Sequence, residues 1–520
     1  AQLREITGQV ARAYDALIPG SAAEPQAMVN APQMAERLYA LGFSKSEEIA
    51  TRIAGWRDGR YRSLRSAAAL SAFDATLPAL VEALANVDDP EPALLRWEGL
   101  LASASSAINL FRLLAARPAL LDQLLAILTL APTLAEELGR RPELLDTLID
   151  RSALDLPGSV DELAARMTGT GAAPDYERLL DRIRLVTGEL RFALGLQLIE
   201  AVHDPLDIAA ALSRAAEAAL VVAHRATGEE FARKHGRIAG SELAVLGLGR
   251  LGGGALTHAS DLDLIYLFTG ETGVESDGAR PLGGTLYYNR LAQRLSAALS
   301  VATAQGALYD VDTRLRPQGA QGPLAVTCAS FAKYQREAAW TWEHMALTRA
   351  RVLIGSPPVR EELGRIIGEV LGQHRDEATL RADVLKMRGE IAQHKPPKGV
   401  LDAKLLRGGL VDLEFLVHYL QLRDHVGLDA DLGAAIDALA KAGLIAGELR
   451  QAHDLMTRLL VSARLLAPDL MPPPQAAALA LARACRQESL DALMQEFASA
   501  RHQVVRAWGQ VFGEELEIET

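Results

Sequence analysis

The sequence is short of cysteine, of membrane-length apolar runs and of positive charge, and each shortage closes off a class of protein. Only two cysteines occur, Cys328 and Cys485, far apart in the chain. Such a pair reads as reduced thiols in cores rather than as a bridge, which fits a cytoplasmic protein. No apolar run of about 18 or more residues is free of charges, so no membrane span is expected. The opening AQLREITGQVARAYDALI lacks the charged-then-apolar form of a signal peptide. Lys and Arg number 54 against 66 Asp and Glu, a net charge of −12. A polymerase-like protein would carry a basic face, so no nucleic-acid partner is expected. The arginines gather instead at Arg314, Arg316, Arg349 and Arg351, as suits a local anion site on an acidic protein.

What the chain has in quantity is apolar helix. Hydrophobic residues make up 49% of 520 positions, ample for several cores, and the length suggests two to four domains. Residues 1–230 read as helix after helix, rich in Ala and Leu, with residues 1–18 amphipathic and AEPQAMVNAPQ a loop. RPALLDQLL and RPELLDTLI, at 117–125 and 141–149, each place Pro where a helix starts. The pattern loosens between Leu154 and Asp175, a first boundary, and returns to helix from Leu179 to Lys234. From Pro357 the chain reads as helical to its end, with Phe497, Val504, Trp508 and Val511 as bundle core.

The exception is LGLGRLGGGALTHASDLDLIYLF, Leu246 to Phe268. Two apolar runs, Leu243–Leu248 and Leu262–Phe268, read as strands flanking a glycine-rich turn. Glycine lets backbone approach a ligand closely, so successive N–H groups can converge on an anion. Asp261 and Asp263 open the second strand, where residues two apart face one side. Two like charges on an apolar strand repel and are costly to bury unless something neutralises them. A divalent cation does so, and Mg²⁺ binds through one or two carboxylates together with substrate phosphates. Downstream, ALYDVDTRLRP alternates, setting Asp310, Asp312, Arg314 and Arg316 on one face. The polar TGETGVESDGARPLGG that follows Phe268 reads either as a surface loop or as a segment near the substrate. Thr285 is the expected N-cap of the next helix. In that helix Tyr287, Leu291, Leu295 and Leu299 fall at core spacing. RPQGAQGP reads as a turn, and two helices are expected near Thr327 and Ala338. Trp340 and His344 share a helix face, read as a core Trp and a satisfied His. Gly408-Gly409 opens a helix carrying Asp412 and Glu414, which point differently and are read as packing residues rather than metal ligands.

The glycine turn followed by Asp-x-Asp resembles the nucleotidyltransferase superfamily of DNA polymerase beta and kanamycin nucleotidyltransferase. Arg250 stands where that superfamily usually has Ser. More closely, GLGRLGGGAL…SDLDL, VDTRLRP and GGLVDLEF resemble the motifs of the bifunctional glutamine synthetase adenylyltransferase/adenylyl-removing enzyme family, from about residue 60 onward. Arg250 replaces a family Lys and Ala255 a family Glu. YQREAAWTWEHMALTRARVLIG looks like the C-terminal, adenylylating half, and residues 1–18 would then be the tail of a preceding half.

The resemblance implies a mostly α fold with a central α/β nucleotidyltransferase domain, a polymerase-beta-like mixed sheet flanked by helical domains. The expected division is 1–58 N-terminal helix and linker, 59–160 helical domain, 161–357 nucleotidyltransferase domain and 358–520 C-terminal bundle. It implies AMP transfer from ATP to a tyrosine hydroxyl of glutamine synthetase by two-Mg²⁺ in-line displacement, with the metals about 4 Å apart. Asp261, Asp263 and Asp312 would be the catalytic and metal-binding residues. Gly249, Arg250, Gly252, Gly253, Ser260, Arg314, Arg316 and Arg351 would bind the nucleotide. PII signal protein and glutamine would be effectors. The alternatives are the phosphorolytic adenylyl-removing half, a silent nucleotide- or PII-sensing half, and small-molecule nucleotidylation.

Overall fold

The computed structural model describes residues 31–518 apart from 86, 88–89, 104–107, 150–153 and 171–174. The amphipathic segment 1–18 and most of the following loop lie outside the described residues. Two compact units divide at Leu145/Asp146.

The first unit is helical. Its helices include Ser46–Trp56, Ala67–Leu84, Pro90–Ser103 and Pro118–Leu130. Pro118 sits in the first turn of its helix, where the N–H that proline lacks would have had no intrahelical partner. Trp56, Phe73, Trp97 and Phe111 are fully buried, and Phe73 meets Phe111 edge-on at 5.3 Å between ring centres. The Ala67–Leu84 helix is long and apolar enough to cross a membrane by length and composition alone. It carries Asp74 and Glu82, which pair with Arg57 and Arg37.

The second unit holds the sheet and the C-terminal helices together. Its strands are β1 (Leu243–Gly247), β2 (Leu262–Phe268), β3 (Val311–Asp312), β4 (Ala325–Thr327) and β5 (Arg351–Ile354). The order is β3-β2-β1-β5, with β4 also on β2. β1 runs antiparallel to β2 and β5, while β3 and β4 run parallel to β2. The fold is therefore mostly α around a small mixed sheet. β1 is buried throughout and β2 everywhere but Asp263. That explains why both strands read as continuous apolar runs rather than alternating ones.

Two helices, Tyr176–Ile199 and Pro205–His235, lead into β1 and pack on each other. Asp175 and Asp204 cap their first turns. Helix Gly284–Ser300 returns from β2 with Tyr287, Leu291, Leu295 and Leu299 buried, as the spacing predicts. Its cap is Gly283 rather than Thr285. Arg184, itself buried, gives its guanidinium to the carbonyls of Ala298 and Val301 at 2.7 Å each. It thereby satisfies acceptors that the helix end leaves unpaired.

Several expectations need correction. The stretch 154–175 contains a helix, Val160–Thr168, started by a Ser159/Glu162 capping box that the surrounding Gly and Pro obscure. The run ALYDVDTRLRP is strand only at Val311–Asp312, because the chain turns at Arg314 instead of continuing beside β2. Trp340 is 70% exposed, capping its helix from outside the core, whereas His344 is satisfied by the Gln335 carbonyl at 2.8 Å. Val511 is only partly covered, and Phe512 fills the bundle core beside Trp508. Cys328 and Cys485 are both free and buried.

One buried ion pair fixes the C-terminal helices. Arg388, on Glu377–His394, donates from Nε to Asp412 Oδ1 at 2.5 Å, and the Gly408 N–H donates to Oδ2 at 2.7 Å. Asp412 is fully inaccessible. Removing one partner strands a buried charge, whereas removing both does not. Arg388→Ala should cost about 3–5 kcal/mol in denaturant unfolding, and Arg388→Met with Asp412→Leu distinctly less. Equal losses would show that the pair's charge is not what matters.

Candidate active site

The Leu248–Asp261 connection is short and tightly pinned. The Leu248 N–H donates to the Asp263 carbonyl at 3.0 Å, extending the β1–β2 ladder by one bond. Gly249 then adopts φ +55°, and a Cβ there would lie 2.3 Å from Asp263 Oδ2. Both the left-handed backbone and the closeness of that carboxylate require glycine. One helical turn, Gly249–Gly252, follows. Farther on, Ser260 Oγ accepts the Thr257 N–H at 3.0 Å, closing the loop just before Asp261.

Parallel pairing of β2 with β3 sets Asp263 directly opposite Asp312. Asp261, just ahead of β2, completes the group: ligand atoms of Asp261, Asp263 and Asp312 lie within 4.8 Å of one another. Asp261 is exposed and the other two are half-buried. Burial, reinforced by the charges of Asp261 and Asp312, pushes the Asp263 carboxyl up to about 6. Lys404 and Arg349 pull the other way without winning. Asp312 differs because Arg314 hydrogen-bonds both its oxygens, with Nε 2.8 Å from Oδ2, and holds its carboxyl below the usual range against the effect of burial.

The remaining residues expected at a nucleotide are placed differently. The N–H groups of Gly252 and Gly253 are spent inside the turn, on the carbonyls of Leu248 and Gly249. These two glycines are needed for packing: a Cβ at Gly252 would lie 1.9 Å from the Arg349 carbonyl, and one at Gly253 2.6 Å from the Arg349 guanidinium. Arg250 turns toward Glu414, 3.8 Å away, and loss of hydration pulls its guanidinium down to about 10. Arg351 pairs with Glu217 and donates to the Gly252 carbonyl at 3.0 Å, bracing the turn from behind. Arg316 folds back onto the Thr313 carbonyl at 2.8 Å and onto those of Gly322 and Ala320. Among the expected cations only Arg314 is exposed beside the carboxylates.

Glu414, read from the sequence as a packing residue, is the group that balances these cations. Glu414, on helix Leu410–Asp424, accepts from Arg349 Nη1 at 2.9 Å. Burial alone would raise its carboxyl, but Arg349, Arg250 and Lys404 outweigh that and hold it down at about 2. Lys404 reaches toward both this group and Asp263, and Lys395 acts on Asp312. Nothing in the spacing of LDAKLLRGG links position 404 to position 261; only the packing of the C-terminal helices on the sheet does.

The glycine turn, the three carboxylates and the cations around them all fall inside or beside a region that matches a known protein family. Residues 121–365 match the model of glutamate-ammonia ligase adenylyltransferase. Over that region the chain is similar to that family. Similar members are named bifunctional glutamine synthetase adenylyltransferase/adenylyl-removing enzyme. One from Rhizobium meliloti is 42% identical over 75% of this chain and 40% of its own length. One from Agrobacterium fabrum is 42% identical over 78% and 41%. One from Bradyrhizobium diazoefficiens is 38% identical over 83% and 45%. The chain thus spans about two fifths of the length of these family members.

The Glu414 cluster has a measurable signature. Glu414→Ala leaves three cations uncompensated and should cost about 3 kcal/mol near neutral pH, the low end for breaking a buried pair, because 18% of the side chain stays accessible. The folded carboxyl lies below its ordinary 4.5, so its contribution is present above 4.5 and is lost as pH falls toward 2. The gap between wild type and variant should therefore narrow on acidification. A gap that stays constant down to about pH 3 would contradict the assignment.

Proposed function

We propose that this chain transfers AMP from ATP to a tyrosine hydroxyl of glutamine synthetase. The observation that carries the reading is the convergence of Asp261, Asp263 and Asp312 within 4.8 Å beside the glycine turn. Three carboxylates so close, one of them pushed up to about 6, fit a divalent cation well, since its charge would replace their repulsion. Asp261, Asp263 and Asp312 would hold Mg²⁺, which supplies charge neutralisation at the attacking and leaving oxygens of an in-line displacement.

The protein's own residues do the rest. The tyrosine oxygen attacks the α-phosphorus of ATP, the bond to the α,β-bridging oxygen breaks, and pyrophosphate leaves. Asp312 takes the tyrosine proton once the exposed Arg314 guanidinium swings from it to a phosphate. That exchange raises the basicity of Asp312 when substrate is present, because Arg314 is what holds its carboxyl down. Lys404 acts on Asp263 and Lys395 on Asp312, so both bring positive charge near the cluster, where a triphosphate would need it. The glycine turn acts through close approach and through Gly249, which gives Asp263 room. PII and glutamine as effectors and the four-part domain division belong to this reading through the family resemblance, and cytoplasmic location through the two cysteines read as reduced thiols.

Asp261→Asn or Asp263→Asn should lower AMP transfer roughly 100-fold or more, beyond the 10–100-fold typical of groups that only support a metal ligand. Asp263→Asn should also raise the melting temperature of the Mg²⁺-free protein, by removing repulsion. Near-normal turnover in either variant would refute the metal assignment. Asp312→Ala should be as severe, whereas Asp310→Ala should be mild, because Asp310 serves β2 through its carbonyl, which accepts the Leu262 N–H at 2.9 Å.

The direction of the reaction separates the adenylylating reading from the removing one. YQREAAWTWEHMALTRAR resembles the transferring half. AMP-modified glutamine synthetase with pyrophosphate should yield ATP, the microscopic reverse of transfer, and with orthophosphate should yield no ADP. Rapid ADP formation with orthophosphate would assign the chain to the removing half.

A further inference from the structure

A second charged site lies away from the carboxylates. A cleft of about 610 Å³ is lined by Phe231, Lys234, Arg280, Arg290, Arg294 and neighbouring side chains, with no carboxylate among them. The cations come from three separate segments: the end of the Pro205–His235 helix, the loop after β2, and the outer face of the Gly284–Ser300 helix. Among the described residues none of the four is in an ion pair. The acids nearest in sequence are engaged elsewhere: Asp277 accepts the Arg237 N–H at 2.7 Å, and Glu230 pairs with Arg233.

This arrangement is held by the backbone. The loop runs alongside the helix end through three bonds: Arg280 N–H to Lys234 carbonyl, Gly278 N–H to His235 carbonyl and Asp277 N–H to Arg237 carbonyl. Gly236 and Gly278 approach so closely that a Cβ on either would lie 2.1 Å from the other's nitrogen. His235 Nδ1 meets the Arg280 carbonyl at 2.7 Å. The Arg294 guanidinium rests over the Phe231 ring, 5.3 Å from its centre. Arg290 and Arg294 stand one helical turn apart, a like-charge spacing that weakens a helix unless an anion lies between them. On a chain of net charge −12, four cations gathered with no ion-pair partner among the described residues are the counterpart of the three carboxylates.

We propose that this cleft binds a small, multiply charged anion, a phosphate ester or a polycarboxylate, at a site separate from the carboxylate cluster. The loop that closes the cleft leaves β2 at Phe268, the opposite end of the strand from Asp263. A compact ligand suits the volume, and arginine forks suit planar oxyanions of either kind. The proposal is independent of the transfer reaction.

The test is calorimetric titration of the whole chain, without Mg²⁺ and at low salt, with inorganic phosphate and separately with citrate. Saturable one-to-one binding of at least one is expected. Arg290→Ala and Arg280→Ala, both at exposed positions, should each weaken it roughly tenfold or more, as loss of a charge-assisted bond does. Asp263→Asn should leave it unchanged, which separates the cleft from the carboxylates. Saturation by phosphate alone would assign a phosphorylated ligand, and by citrate alone a polycarboxylate. Lack of saturation by either would overturn the proposal. So would binding indifferent to both arginine variants.

Discussion

Repulsion between carboxylates is the constraint on which the rest of the second unit depends. β2 is buried almost throughout, yet it begins with an acid on each side of Leu262, and β3 brings a third against them. No packing benefit compensates for that. Burial and its two neighbours leave Asp263 at about 6, the mark of a group whose charge lacks a partner. Around it the protein spends a matching set of cations and then restrains them. Glu414 gathers Arg349, Arg250 and Lys404, while Glu217 takes Arg351. The carboxylates are thus left short of positive charge, which suits a site completed by metal and nucleotide.

The same restraint explains the glycine turn. Its amides at Gly252 and Gly253 are satisfied within the turn, and its close-packed glycines receive Arg349 from the helical side. Arg351 braces it from behind. The turn is therefore a joint between the sheet and the C-terminal helices as much as a surface for a ligand. The Arg388–Asp412 pair fixes the helix that carries Glu414, so the GGLVDLEF segment supports the site through two acids, one residue apart, with different partners.

What could be read from the sequence follows from which interactions are local. β1 and β2 were legible because long apolar runs between glycines have few other meanings. Asp261 and Asp263 were legible because two residues of strand return to the same side. Asp312 was found through its motif, yet its neighbours were misread: the alternation of ALYDVDTRLRP suggested a longer strand, and Arg316 in fact serves its own turn. β5 was missed because four residues entering a sheet edge leave almost no periodic signal. Lys404 was out of reach, and Glu414 was read only as packing, since their meaning comes from a fold contact across some 150 residues. The loop after β2 could be read two ways; its bonds to the Pro205–His235 helix place it at the Phe268 end of the strand, away from Asp263.

The most direct test of the central claim follows the phosphorus. Unmodified glutamine synthetase is incubated with this chain, Mg²⁺ and ATP labelled either at the α- or at the γ-phosphate. The account predicts label on a glutamine synthetase tyrosine from α-labelled ATP only, with labelled pyrophosphate released from the γ-labelled substrate. Label reaching the protein from the γ-position, or no transfer from either, would contradict it.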